Sequence, residues 1–185
     1  MSAEDSSRRN FLIGSMTGVS AAWLAANWPA AVAAAEQARA GGQFAFFTPS
    51  QAADIDAMAA QIFPTDDTPG AREAQVIYFI DLGLESFARD KQGVYTQGLS
   101  DLAAKTKEMF PGSASFAALS SAQQIQLLTA IEKTVFFKTV RDHTIMGMFA
   151  SPQHGGNYNK VGWKLIGFDD ALNYQQPFGY YDGQA

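Results

Sequence analysis

Few side chains in this sequence are placed to do chemistry. Asp66 and Asp67, with Glu73 close behind, form an acidic group that could supply a carboxylate pair for general acid–base work. They stand in "PTDDTPGA", a turn-rich stretch ahead of a helix. There, acidic residues more often solvate a loop or favour the next helix N-terminus through its dipole. His143, in "RDHTIMGMF", is a candidate general base, but no nucleophile lies near it in sequence. A partly packed helical histidine is the expected role. His154 precedes Gly155-Gly156-Asn157, a tight-turn sequence that brings backbone close to a neighbour or cradles an anion. Asp54, Asp56 and Asp81 read as charges on helix surfaces, and Met146, Met148 and Phe149 as core.

Composition excludes more than it offers. The chain has 185 residues, no cysteine, two histidines and a formal net charge of −5. Without cysteine there is no disulfide, no thiolate for an iron–sulfur cluster and no C-x-x-C-H haem attachment. Two histidines are too few for a zinc site of the usual nitrogen and sulfur ligands. No G-x-G-x-x-G or P-loop motif occurs. The expectation is therefore no catalytic residue, cofactor or metal in this chain. The acidic balance argues against a nucleic-acid partner. The length suits one domain.

The N-terminus carries an address. Ser7-Arg8-Arg9-Asn10-Phe11-Leu12 is a twin-arginine pattern, followed by a mildly apolar stretch to about Ala26. Ala31-Val32-Ala33 and Ala33-Ala34-Ala35 both fit an A-x-A cleavage site. A charged start, an apolar middle and small residues at the end make a signal peptide, expected over 1–35. Arg8, Arg9, Phe11 and Leu12 select the twin-arginine route, whose cargo is already folded, and imply a periplasmic location. The stretch is too polar for the roughly 20 apolar residues of a span. An export signal for folded cargo on a chain without cofactor chemistry suggests that the cofactor belongs to a partner.

Downstream, 36–185 reads as a single helical domain: an all-α, small irregular bundle with a long aromatic, glycine-rich C-terminal segment. "ARAGGQFAFF" reads as an extended arm. Thr48, Pro49 and Gln51 start a helix as N-cap, first-turn proline and capping box, with Ile55, Met58, Ala59 and Ile62 on one face and Pro64 at its end. A second helix is expected over 72–90, with Val76, Ile77, Ile80, Leu84 and Phe87 inward, and a third over about 95–110, with Leu99, Leu102, Ala103 and Phe110. Residues 118–149 carry a fourth and fifth pattern, or one bent helix, with Ser120 and Gln123 as a capping box and Ile125, Leu128, Ile131, Phe136 and Val140 inward. From 150 onward, Trp163, Phe168, Tyr174, Phe178, Tyr180 and Tyr181 are too many aromatics for a solvated tail. Either they fold back over the bundle or they face another protein.

"FFTPSQAADIDAMAAQIFPTDDTPGAREAQVIYFID", "LSSAQQ" and "GMFASPQHGGNYNKVGWKLIGF" together resemble the small subunit, subunit 3 or gamma, of gluconate 2-dehydrogenase-type membrane-bound dehydrogenases. His154 stands where that pattern would place a tyrosine. The resemblance implies a non-catalytic partner of a large FAD-dependent flavoprotein of the glucose–methanol–choline class, which oxidises a sugar or sugar acid. It also implies a multihaem cytochrome c subunit, with haem c or an iron–sulfur cluster in other subunits. The small subunit would carry the flavoprotein out through the twin-arginine translocase and help it fold and stay stable. Phe149, His154, Gly155, Gly156, Asn157, Trp163 and Phe168 are the expected partner interface or its braces. Two other readings stand beside this one: a stand-alone enzyme using Asp66, Asp67, Glu73 or His143, and a helical binding or scaffold protein with no enzyme partner.

Overall fold

Helix starts follow the local chemistry of the sequence. The computed structural model describes residues 43–171. Arg8, Arg9, Phe11 and Leu12, and the aromatics Tyr174, Phe178, Tyr180 and Tyr181, lie outside the described residues. The first helix, α1 (Pro49–Ile62), begins with the expected reciprocal cap: Gln51 N–H donates to the Thr48 hydroxyl, and Thr48 N–H donates to Gln51 Oε1. Ala52, Ile55, Met58 and Ala59 form its buried face. Next come α2 (Val76–Leu84), α3 (Gln92–Met109), α4 (Ser121–Ile131), α5 (Val135–Phe149) and the short α6 (Val161–Leu165). The described residues contain no strand, as an all-α reading requires. Helix α5 is the hub and packs against α1, α2, α3 and α6. Its inward stripe is Phe136, Val140, His143, Thr144, Gly147 and Met148.

Several elements differ from the sequence reading. The second helix is nine residues long, not a run over 72–90. Gln75 adopts a left-handed conformation (φ 54°), which stops the helix from extending backward. At the other end the chain turns at Glu85, and Phe87 is 55% exposed, its ring 5.6 Å from Phe79 rather than in the core. In α3, Ala103 is exposed, and Tyr95, Gly98, Leu99, Leu102 and Thr106 turn inward. The pattern over 118–149 is two helices, not one bent helix; Thr134 caps the second by accepting from Phe137 N–H. Ile125 points outward, and Gln124, Leu127 and Leu128 carry the contact instead. Met146 is also exposed, so only Met148 of that pair is core.

The three helical aspartates are not equivalent surface charges. Asp56 pairs with Arg72 at 3.1 Å and is the nearest to one. Asp54 accepts Ala117 N–H at 2.8 Å, and burial raises its pKa against that hydrogen bond. Asp81 is 2% exposed and accepts three backbone N–H groups, from Ala45, Phe46 and Phe47, at 2.7–3.0 Å. The sequence shows it in an apolar helix with no basic neighbour on its face; that is the only trace of its burial.

His143 faces Tyr95 across the α3–α5 contact. The phenol oxygen lies 3.0 Å from Nδ1 and the rings stack. A neutral imidazole can accept the phenolic proton there. Burial holds the His143 pKa below its ordinary value, with smaller opposing influences from Asp142 and Asp90 and a like-signed one from Lys91. The same burial pushes the Tyr95 phenol up. Protons therefore favour the unfolded chain: this stability is present at neutral pH and lost as pH falls below the ordinary histidine value of about 6.5. Melting followed by circular dichroism should show a lower Tm at about pH 5.5 than at about pH 7.5, and His143→Gln, which keeps an acceptor, should flatten that slope. Tyr95→Phe leaves Nδ1 without its donor and should cost about 1–3 kcal/mol in urea unfolding.

Candidate partner interface

The last carbonyls of a helix have no partners within it and must find them elsewhere. In α5 they are met by the segment that follows. Ala150 N–H donates to Met146 O at 2.7 Å, and Asn157 N–H to Gly147 O at 2.8 Å. Trp163 Nε1–H donates to Phe149 O at 2.7 Å, and Asn157 Nδ2 to Ala150 O at 2.9 Å. Asn157 Oδ1 in turn accepts Gly162 N–H at 2.8 Å. Asn157 is wholly buried and left-handed (φ 45°), a conformation asparagine tolerates. Gly156 and Gly162 sit so close to the carbonyls of Gly147 and Met148 that a Cβ on either would collide with them.

This segment is stitched to a second place as well. Tyr158 N–H donates to Ala74 O at 3.0 Å, just ahead of α2, and Gly155 (φ 102°) packs on the backbone of Tyr78. The Gly155 N–H donates to Pro152 O. In the "HGGN" turn the N–H groups of His154, Gly155 and Asn157 thus donate to the carbonyls of Ser151, Pro152 and Gly147. The turn brings backbone close to a neighbour, with three of its four N–H groups turned onto carbonyls.

Around this capped end lies an aromatic and aliphatic surface. Phe63, at the end of α1, meets Phe149 edge to face at 5.9 Å. Trp163 and Phe168 lie 5.0 Å apart, and Lys160 sits 5.6 Å from the Trp163 ring while pairing with Asp170 at 3.0 Å. Phe149 and Trp163 are half-buried. Ile166 is 59% exposed and Phe168 48%. Ile145 and Met146, also exposed, stand one turn before Phe149 on α5. Large apolar groups left uncovered near one another mark interaction sites more often than scattered ones do.

Of the expected interface residues, Gly155, Gly156 and Asn157 are buried in this chain and act as braces, while His154 and Phe168 face outward. Ile145, Leu165 and Ile166 are not marked as surface groups by the sequence pattern, and Met146, expected in the core, is exposed. Their signal was available in part: Ile145 and Met146 fall off the Phe136–Val140–His143–Gly147 stripe.

The acidic loop is a built turn. Asp66 accepts from the backbone N–H and hydroxyl of Thr68, both at 2.8 Å. Glu73 accepts from the Thr65 hydroxyl at 2.6 Å and from Gly70 N–H at 2.8 Å. These hydrogen bonds lower both pKa values, the opposite of what a proton donor at neutral pH needs. Gly70 lies against the backbone of Phe63 to Thr65, with no room for a Cβ. His143 is far along α5 from this loop in sequence and is occupied by Tyr95. Among the described residues, no three His, Asp or Glu side chains group to hold a metal, and no helix is long and apolar enough to cross a membrane.

The family model of gluconate 2-dehydrogenase subunit 3 matches residues 49–170. The chain belongs to the gluconate 2-dehydrogenase subunit 3 family. Such a protein is an accessory subunit of a dehydrogenase complex. Neither the curated proteins nor the solved structures gave a match. The family-matched region takes in both the acidic loop and the "GGN…GWKLIG" segment, and the structure joins their surroundings through the Phe63–Phe149 and Tyr158–Ala74 contacts.

In this subunit 3 protein, Asn157→Ala removes one buried and one partly buried hydrogen bond and should cost about 2–5 kcal/mol in urea unfolding. Trp163→Phe keeps a smaller ring beside Phe168 and loses the donor to Phe149 O, and should cost at least about 1 kcal/mol.

Proposed function

We propose that this chain is the non-catalytic small subunit of a periplasmic, FAD-dependent dehydrogenase of the glucose–methanol–choline class acting on a sugar or sugar acid. In this reading it helps the flavoprotein to fold and remain stable, and takes it, already folded, through the twin-arginine translocase. FAD resides in the large subunit. A multihaem cytochrome c subunit, or a subunit with an iron–sulfur cluster, passes the electrons on, and the complex is held at the membrane through those partners. The observation that carries the reading is the family match over residues 49–170. The Arg8-Arg9 pair of the leader supports the export part. The exposed apolar groups around the capped end of α5 support a protein partner. The hydrogen-bonded turns that hold Asp66 and Glu73 favour an accessory role over catalysis by this chain.

The large subunit, in this reading, rests on the surface formed by Phe168, Ile166, Trp163 and Phe149, which Gly155, Gly156 and Asn157 hold in shape. Affinity capture of the chain from its native periplasm and membrane, by gentle extraction, should yield a yellow eluate. It should contain a co-eluting large chain and reduce a dye in the presence of sugar. A colourless, monodisperse single chain would overturn the proposal in favour of a scaffold protein. Arg8→Lys with Arg9→Lys should leave the flavoprotein in the cytoplasm. Phe168→Glu with Ile166→Glu should lower recovery of the large subunit at least about tenfold, a loss of about 1.4 kcal/mol, without moving the Tm of the isolated chain. Ile125→Glu, on the exposed side of α4, should leave recovery unchanged.

A further inference from the structure

The family match begins at residue 49. The packed structure begins earlier. Ala45, Phe46 and Phe47 turn three successive N–H groups onto the two carboxylate oxygens of Asp81, Ala45 to Oδ2 and the other two to Oδ1. Asp81 stands in the middle of α2, whose side chains are nearly all buried. None of the ion pairs among the described residues involves it. The arm's N–H groups are therefore what compensates a carboxylate taken out of water, and a buried charge without such partners is strongly disfavoured.

The arm also reads the helices beyond α2. The Phe47 ring is 4% exposed and packs 5.7 Å from Tyr95 of α3. Tyr95 meets Phe136 and His143, both on α5. The seat of the arm is thus made of three helices: a carboxylate from α2, a ring from α3, and the α5 side chains that fix that ring. None of these helices offers the whole seat alone.

We propose that residues 45–47 and Asp81 form a fold-dependent latch, which closes only when α2, α3 and α5 have assembled and which ties the N-terminal border of the domain to that assembly. The domain then starts at Ala45, and any removal of the preceding segment that leaves a stable subunit must stop short of Ala45. The latch rests on the fold alone and is independent of the dehydrogenase reading.

Amide hydrogen exchange on the full chain, followed by NMR, tests it. In the unaltered chain Phe46 and Phe47 should exchange as slowly as core amides of α2 such as Ile80, within about tenfold, because the latch opens only when the assembly does. Ala45 is exposed, so Ala45→Pro removes one donor without touching a buried side chain. It should speed Phe46 and Phe47 at least about tenfold while Ile80 keeps its rate. Asp81→Asn should do the same, and Ala45→Pro should add nothing in the Asp81→Asn background, since both act on one contact. Fast exchange of Phe46 and Phe47 in the unaltered chain would overturn the latch. So would Ala45→Pro leaving them at core rates, or effects of the two substitutions that simply add. If Asp81→Asn fails to fold, Ala45→Pro alone decides between these outcomes.

Discussion

The end of α5 must be sealed, and the seal falls to one asparagine. Helix α5 touches most of the other helices, so its position sets theirs. Its last carbonyls would otherwise face a half-buried aromatic cluster without partners. Asn157 meets this demand with its backbone N–H, its amide nitrogen and its amide oxygen, each aimed at a different backbone group. No apolar residue can do so, and a left-handed backbone further narrows the choice. The glycines on either side follow from the same demand, because the capping strand must lie against carbonyls with no Cβ between. A motif that looks like a binding loop in sequence is, in the structure, the closure of a helix.

That closure bears on how the surface works. A loop held by three hydrogen bonds from one buried residue, two through its side chain and one through its backbone N–H, and by the indole donor of Trp163, has little freedom left. The exposed groups beyond it, Ile166 and Phe168, are therefore carried on a firm base and lose little entropy when covered. The acidic loop plays the matching part on the α1 side. Its hydrogen-bonded turns place Phe63 against Phe149, and their acids are constrained as turn-formers.

Helices announced themselves in the sequence where side chains cap backbone nearby: Thr48 with Gln51, and Ser120 with Gln123, are local and were legible. Boundaries set by distant contacts were not. The second helix looked longer because its apolar spacing runs on to Phe87, while left-handed Gln75 and the turn at Glu85 cut it short. Asp81 resembled any helical acid because its partners lie more than thirty residues away and are backbone groups, which leave no side-chain signature. Of the interface, the glycines, Asn157 and Trp163 stood out by type, but their division into braces and exposed groups depends on which carbonyls they reach. Ile125 and Met146 show the opposite error, since apolar type alone does not tell which face of a helix is covered.

The indole of Trp163 has one more property. The chain has three tryptophans, and the other two, Trp23 and Trp28, both precede the alanine-rich stretch 31–35 at which the export proposal puts the cut. A chain cut there carries a single indole, hydrogen-bonded at its nitrogen and seated on the sealed end of α5. With excitation chosen to spare the tyrosines, its emission colour and its quenching by small solutes then report on that one place, with no second indole in the chain to subtract. Nature has in effect labelled the surface next to the closure, so fraying of the cap and the arrival of a covering protein can both be followed by light on the unlabelled chain.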